Sequence, residues 1–464
     1  MGSFPYTRSK LLMFTGLLLG GVTALTGTDG KQDSEEELKK TVERLEKRLE
    51  AVEKGAASIE VSSDRWTQGL GKGDIASVGN LRWIDVSLDI MGVAGVSSQK
   101  GSTLRQLQGG GHDPKRRGFT LQQAELGLSG MVDPFFRAEA YLTTTIDEDG
   151  ETQVELEEAS ATTTNLPWGL EVEAGHFFTE FGRHNPSHAH SWSFLDQPVV
   201  LTRFFGPDGM RGVGARVGWL MPLPWWSQVH GGVQNAKGEN MESFLANSEV
   251  FEERPVAGRT RVAGDGAGHD GDLVNLVRWE NGVDLGSEWS AKFGISRLEG
   301  PNATGRDAST LIEGVDLVMQ WLPENNEKGW PFVQIQSEAL RREYVAAVDL
   351  TNELPREKFK DGGWYTQALW GFTPGWATGL RWEKTDRGSH NIHPNLHESA
   401  WRSARERISP MLAWHPSEFT RLRLQYNYDR AEYLEPDHDV HSLWFGLEIK
   451  LGSHQHQHDA RCRH

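Results

Sequence analysis

Histidines, carboxylates and arginines crowd one stretch of this chain. His184, His188, His190, Asp196, Arg203 and Asp208 lie between Gly182 and Met210, and Arg211 follows at once. Two kinds of chemistry suit such a set. Fixed charges of both signs in a narrow, low-dielectric passage filter ions by sign and size. Imidazole beside carboxylate suits a divalent metal, Zn2+ first. His188-Ala189-His190 is an H-x-H pair, and in extended chain both rings fall on the same side. No set of four ligands at finger-like spacing accompanies it, so the alternative is that these histidines hydrogen-bond within a loop or face water. A second tract, His454, His456 and His458 with Cys462 and His464 behind it, is of the kind that holds Zn2+ loosely. The alternative there is a disordered polar tail. No cofactor beyond that Zn2+ is expected.

Other chemistries leave no mark. There is no G-x-S-x-G, no H-E-x-x-H and no P-loop, and the Glu157-Glu158 pair reads as strand or turn residues rather than a catalytic dyad. The chain is therefore not expected to be an enzyme. Its 65 acidic residues against 48 basic ones leave a formal net charge of −17, which argues against nucleic acid as a partner. One cysteine excludes an internal disulfide framework. With 37% apolar residues the chain is too polar for a bundle of membrane-spanning helices. A membrane barrel escapes that test, because every second residue of a strand faces away from lipid.

The elements that must position the charged stretch can be read along the chain. Arg8 and Lys10 precede an apolar run from Leu11 to Leu25, with small residues before a cleavage point after Ala24. This is the layout of a secretory signal; an uncleaved anchor is the alternative. Leu38, Val42, Leu45, Leu49 and Val52 then recur at spacings of 4, 3, 4 and 3 between charged flanks, a short coiled-coil seam or a solvated single helix. From about Leu81 to Leu451 come about sixteen segments with β character. Leu443, Phe445, Leu447, Ile449 and Leu451 alternate with Trp444, Gly446, Glu448 and Lys450; Leu422, Leu424, Tyr426 and Tyr428 alternate with Arg421, Arg423, Gln425 and Asn427. Asp272–Glu280 alternates poorly.

Connections alternate too, long first and then short, to the end of the chain. Long links include Val96–Gly118, Gly182–Met210, Ala236–Gly271 and Arg341–Gly362; short ones include Asp133-Pro134, Met221–Trp225, Asn281–Gly286 and Thr373–Gly375. That is the pattern of an up-and-down barrel with both termini in the periplasm. Trp168, Trp225, Trp226, Trp321, Trp376 and Trp414 lie at or beside short turns, where a headgroup-level girdle places tryptophan. The fold expected is thus all-β, a transmembrane antiparallel barrel of about 16 strands with a short N-terminal coiled-coil helix. Its parts are a signal peptide over 1–24, a periplasmic coiled-coil segment over 25–58, the barrel over 59–452 and a His-rich periplasmic tail over 453–464.

One passage also carries a family resemblance. Gly175-His176-Phe177-Phe178-Thr179-Glu180-Phe181-Gly182-Arg183 resembles an element of phosphate-selective porin-like outer-membrane proteins. The continuation through Asn185, His188, Trp192, Phe194, Asp196-Gln197-Pro198, Phe204-Phe205-Gly206 and Asp208-Gly209 is similar to a subgroup labelled zinc-regulated outer-membrane proteins. The resemblance is detailed over about Leu170 to Leu220 and weaker over the rest of the barrel. It implies a general-porin barrel, usually trimeric, whose third outside loop folds inward and narrows the pore. Gly182–Met210 is that loop in the strand order, so the constriction would be His184, His188, His190, Asp196, Arg203, Asp208 and Arg211.

Register then puts Arg381, Glu383, Arg421 and Arg423 on the pore wall, with acids at least as common there as bases. No ladder of arginine and lysine dominates, so phosphate selectivity is not carried over. The function expected is diffusion of small hydrophilic solutes or ions through an outer-membrane porin of a Gram-negative-type bacterium, as a homotrimer in the lipid bilayer. The alternatives are a zinc uptake channel or metal-binding protein built on His188, His190 and the tail histidines, and a structural anchor built on the coil.

Overall fold

Alternating strands give a wall with two unlike faces, and closing that wall on itself leaves no unpaired edge. The computed structural model describes residues 84–147, 150–254, 256–262, 272–388, 402–434 and 439–452. These belong to one compact unit, Asn80–His464. The signal peptide, the coiled-coil seam and the histidine tail lie outside the described residues.

Among the described residues eighteen strands occur in chain order. The first seven are β1 (Asp85–Ser97), β2 (Gly118–Met131), β3 (Phe136–Ile146), β4 (Thr152–Thr163), β5 (Leu170–Phe178), β6 (Arg211–Leu220) and β7 (Trp226–Asn235). The two-residue strands β8 (Lys237–Gly238) and β9 (Leu245–Ala246) pair only with each other. Then follow β10 (Leu273–Asp284), β11 (Trp289–Pro301), β12 (Ser309–Trp321), β13 (Phe332–Ala346), β14 (Glu357–Thr373) and β15 (Trp376–Thr385). The last are β16 (Arg405–Ser417), β17 (Thr420–Ala431) and β18 (Asp439–Gly452). Leaving out β8 and β9, sixteen antiparallel strands form a closed barrel in sequence order, and β1 meets β18 with Ser87 opposite Gly452 and Ser97 opposite Ser442. Among the described residues no helix is long and apolar enough to cross a membrane.

The two faces differ sharply. Val315 is 53% exposed while Asp316, its neighbour on β12, is 5% exposed. The same alternation runs along β15 and β18, where Leu380, Phe445, Leu447 and Ile449 are exposed and Arg381, Trp444 and Glu448 are buried. Apolar side chains therefore point out and polar ones in, the reverse of a soluble fold and the arrangement a bilayer demands. Short turns bear tryptophans: Trp168, Trp225 and Trp414 are exposed, and Trp376 stacks on Trp414 at 5.6 Å. Trp226 departs from the girdle. It shares a face with the inward His230, and the Lys292 ammonium lies 4.9 Å over its ring.

Some boundaries move. The long link expected over Arg341–Gly362 is a paired hairpin as far as Ala346 opposite Glu357. Its outer face carries Glu313–Arg341 and Glu343–Lys358 ion pairs instead of apolar residues, so it lacks the apolar alternation of the membrane-level strands. The turn expected at Asn281–Gly286 begins only after Asp284, where β10 ends.

Candidate functional site

The inner wall sorts its charges by side. Asp89 on β1, Glu125 on β2, Glu157 on β4 and Glu173 on β5 are all buried acids. On the adjoining arc, beyond β18, Arg381 on β15, Arg405 and Arg407 on β16, and Arg423 on β17 are buried bases, with the half-buried Arg421 beside them. The four residues expected on the pore wall all turn inward. Arg381 Nε donates to Glu383 at 3.0 Å, Arg421 Nε to Glu448 at 2.9 Å and Arg423 Nη2 to Glu448 at 2.9 Å. The sequence reading missed Arg405, Arg407 and their shared partner Asp429, 2.5 and 2.8 Å away. Their signal was present in the alternation of Arg405, Arg407 and Ser409 with Glu406, Ile408 and Pro410. The fold thus does assemble a basic cluster that the sequence reading did not see, and Asp429, Glu448, Glu383 and Asp196 neutralise much of it.

Residues 179–210, between β5 and β6, reach both sides. Asp196 accepts from Gln425 Nε2 at 2.8 Å, Asn427 Nδ2 at 2.6 Å and Arg407 Nη1 at 2.9 Å, and also from Arg381. Burial alone would raise its carboxyl; the two guanidiniums hold it well below the usual carboxylate range. It stands with the arginines and not with the histidines. His188 sits against β2 and β4, with Nδ1 3.4 Å from Glu125 Oε2 and 3.3 Å from Glu157 Oε2, and Nε2 2.8 Å from Glu158 Oε2. Burial works against protonation there, but Glu125 and Glu157 outweigh it and push the ring well above the ordinary imidazole range. His190 Nδ1 is 3.2 Å from Glu125 Oε2. Its carbonyl accepts from Arg421 at 2.8 Å and Lys450 at 3.2 Å.

The remaining members of the expected set are spread further. The His184 ring stacks on Trp192 with 4.9 Å between centroids, and its backbone N–H donates to Glu338 at 2.8 Å. Burial, then the nearby Arg381, depresses it to about 3. Arg203 donates to the carbonyls of Asp386, at 2.6 Å, and Ser403. Arg211 bonds Glu155 and the Asp208 carbonyl, the latter at 2.5 Å, and lies 5.2 Å over the Phe178 ring. Asp208 itself approaches His112 at 4.0 Å. His184 and Asp196 are thereby separated from the His188–His190 pair.

Apolar packing seats the segment. Its short helix, α1 (Val199–Phe205), is buried on every side. Val200, Leu201, Phe204 and Phe205 form one cluster with Val274, Leu276, Leu298, Ile312 and Leu340 of the barrel wall. Val274 and Leu276 face inward while Leu273 and Val277 face out, which is why β10 alternates poorly in sequence. Two further connections join the packing. Gly111 N–H donates to Pro207 O at 2.7 Å, and Gln197 N–H to Asp113 at 2.8 Å. Arg254 donates to Thr202 O at 2.6 Å, Glu242 at 2.8 Å and Gly109 O at 3.0 Å. Nothing in the spacing of residues announced that three connections would interlock.

No family model matches the chain. An uncharacterized protein of Aquifex aeolicus (strain VF5) is 29% identical over 389 residues, 77% of this chain and 76% of that protein. The outer membrane channel DcaP of Acinetobacter baumannii superposes with a TM-score of 0.50 at 10% identity, over 79% of this chain and 97% of that one. The chain has an outer-membrane barrel fold. A looser likeness, with a TM-score of 0.47 and 9% identity, is to an anion-selective porin from Comamonas acidovorans, over 80% of this chain and all of that one. A closed barrel with an apolar outer wall belongs in a bilayer, and the outer membrane is where barrels of this class reside.

Proposed function

We propose that this chain is an outer-membrane porin through which small hydrophilic solutes or ions diffuse. One observation carries the reading: a closed sixteen-strand wall that is apolar outside and charged in both signs inside. Such a wall shields a polar path from lipid and offers it fixed charges. Residues 179–210 serve as the constriction, with His188 and His190 on the acidic side and Asp196 and Arg203 held by the other elements. Arg381, Glu383, Arg421 and Arg423 line the passage. Asp89, Arg278, Arg381, Arg407 and Gln425 are each at most 1% exposed, so packed side chains leave little open lumen around them and the expected conductance is small. The buried acids of β1–β5 favour cations weakly.

Planar-bilayer recording of the folded protein tests this. Small stepwise openings, with a reversal potential in a KCl gradient on the cation side, are the expected result. Openings in groups of three would fit a homotrimer. Silence from protein that is folded and heat-modifiable would overturn the channel reading. The anchor alternative rests on a segment outside the described residues.

A further inference from the structure

Among the described residues, two clusters of buried imidazole and carboxylate stand inside the barrel. In one, Glu180, His230 and Glu280 converge. Arg216, Arg278 and Arg183 already reach their carboxylates, at 3.8, 3.3 and 3.2 Å. A further cation is repelled there. The other cluster is different in kind.

Glu125, His188 and His190 place one ligand atom each within 4.8 Å of the others, and all three are buried. Glu125 stands directly opposite Asp89 in the β1–β2 register, both inward. Like charges in that relation destabilise a sheet. Among the described residues no lysine or arginine pairs with either of them, and both are 0% exposed. Both oxygens of Asp89 and Oε1 of Glu125 have no hydrogen-bond partner. A buried carboxylate in that condition is costly unless a cation compensates it.

The histidines are oriented to supply one. His188 Nε2 lies 2.8 Å from Glu158 Oε2. A carboxylate there orients the ring with Nδ1 turned toward Glu125 and Glu157, an arrangement common behind metal-bound imidazoles. An ion bound at Nδ1 would take the place of the proton that the ring shares with Glu125 and Glu157. The His188–Glu125, His188–Glu157 and His190–Glu125 distances are 3.4, 3.3 and 3.2 Å. A tetrahedral ion with bonds of about 2.0–2.1 Å sets its ligands about 3.3 Å apart.

We propose that His188 Nδ1, His190 Nδ1 and Glu125, with Glu157 beside them, form a divalent metal site of Zn2+ type inside the barrel. Its ligands come from the 179–210 segment and from β2 and β4. The ion therefore clips the constriction to the acidic wall. The histidine tail is not part of it.

The test is calorimetric titration of the folded full-length protein in detergent with ZnCl2. The wild type and a variant with H454N, H456N and H458N are both expected to bind about one ion per chain at this site. H188N and H190N are each expected to weaken that binding at least tenfold, and E158Q by about tenfold to a hundredfold. Absence of Zn2+ binding by the folded tail variant overturns the proposal. So does binding that H188N and H190N leave unchanged. If those variants fail to fold, Co2+ added to the tail variant gives an independent reading. Intense visible bands of tetrahedral cobalt support the site, and the weak spectrum of the hexaaquo ion overturns it.

Discussion

Asp196 shows how much one inward side chain holds. It is fully buried and satisfied by four donors from β15, β16 and β17. Its removal leaves Arg381 and Arg407 facing each other across an empty acceptor, and breaking a buried pair in this way costs about 3–5 kcal/mol. Asp196→Ala is expected to lower the temperature of heat modification and to raise and destabilise single-channel conductance; unchanged recordings would dissociate Asp196 from the passage. His184 gives a pH effect of definite sign. The folded chain holds it near 3, whereas a free imidazole titrates near 6.5. Between those values the unfolded chain binds a proton that the folded one does not. The contribution is complete above the unfolded value and is lost as pH falls toward 3, by up to about 1.4 kcal/mol per pH unit. Urea titrations of H184Q between these pH values should show a flatter profile than the wild type.

Helix α1 and strand β10 belong together. Seven residues make too short a helix to be stable alone, so Val199–Phe205 depends on the wall beneath it. Phe204 is 0% exposed within that cluster. Phe204→Ala is expected to cost about 3–5 kcal/mol, read from urea unfolding, and to increase current noise as the segment loosens. The pairing also explains a failure of legibility. β17 and β18 were plain in the sequence because their inner faces are mostly polar. β10 was obscure because Val274 and Leu276 meet α1 on the inside while Leu273 and Val277 meet lipid on the outside, leaving little polarity to alternate.

Taken together, the barrel is a lipid-facing shell around an interlocked polar and apolar filling. The shell can be tested at Val315, which is exposed at mid-strand on β12. Val315→Arg is expected to cost about 2–4 kcal/mol if that level is the bilayer midplane, measured by unfolding from lipid vesicles. The filling can be tested at Arg254, which ties residues 98–117 and 179–210 to the connection after β7. Arg254→Ala is expected to raise conductance and to expose the 179–210 segment to protease, with the barrel intact by heat-modifiability.

Strand number, strand order, the two faces of the wall and the inward direction of Arg381, Glu383, Arg421 and Arg423 were all legible from residue types alone. Period-two alternation and turn composition are local properties, and a barrel of neighbours in sequence needs little else. The partners inside the barrel were not legible in that way. Asp196 meets residues about two hundred positions away, Glu125 meets His188 and His190 from a different strand pair, and three connections meet over the lumen. Those meetings depend on how a closed wall brings distant chain to one point, and no spacing along the chain encodes that distance. The histidine pair was visible in the sequence; the carboxylates that could make it a metal site became visible only when the barrel closed.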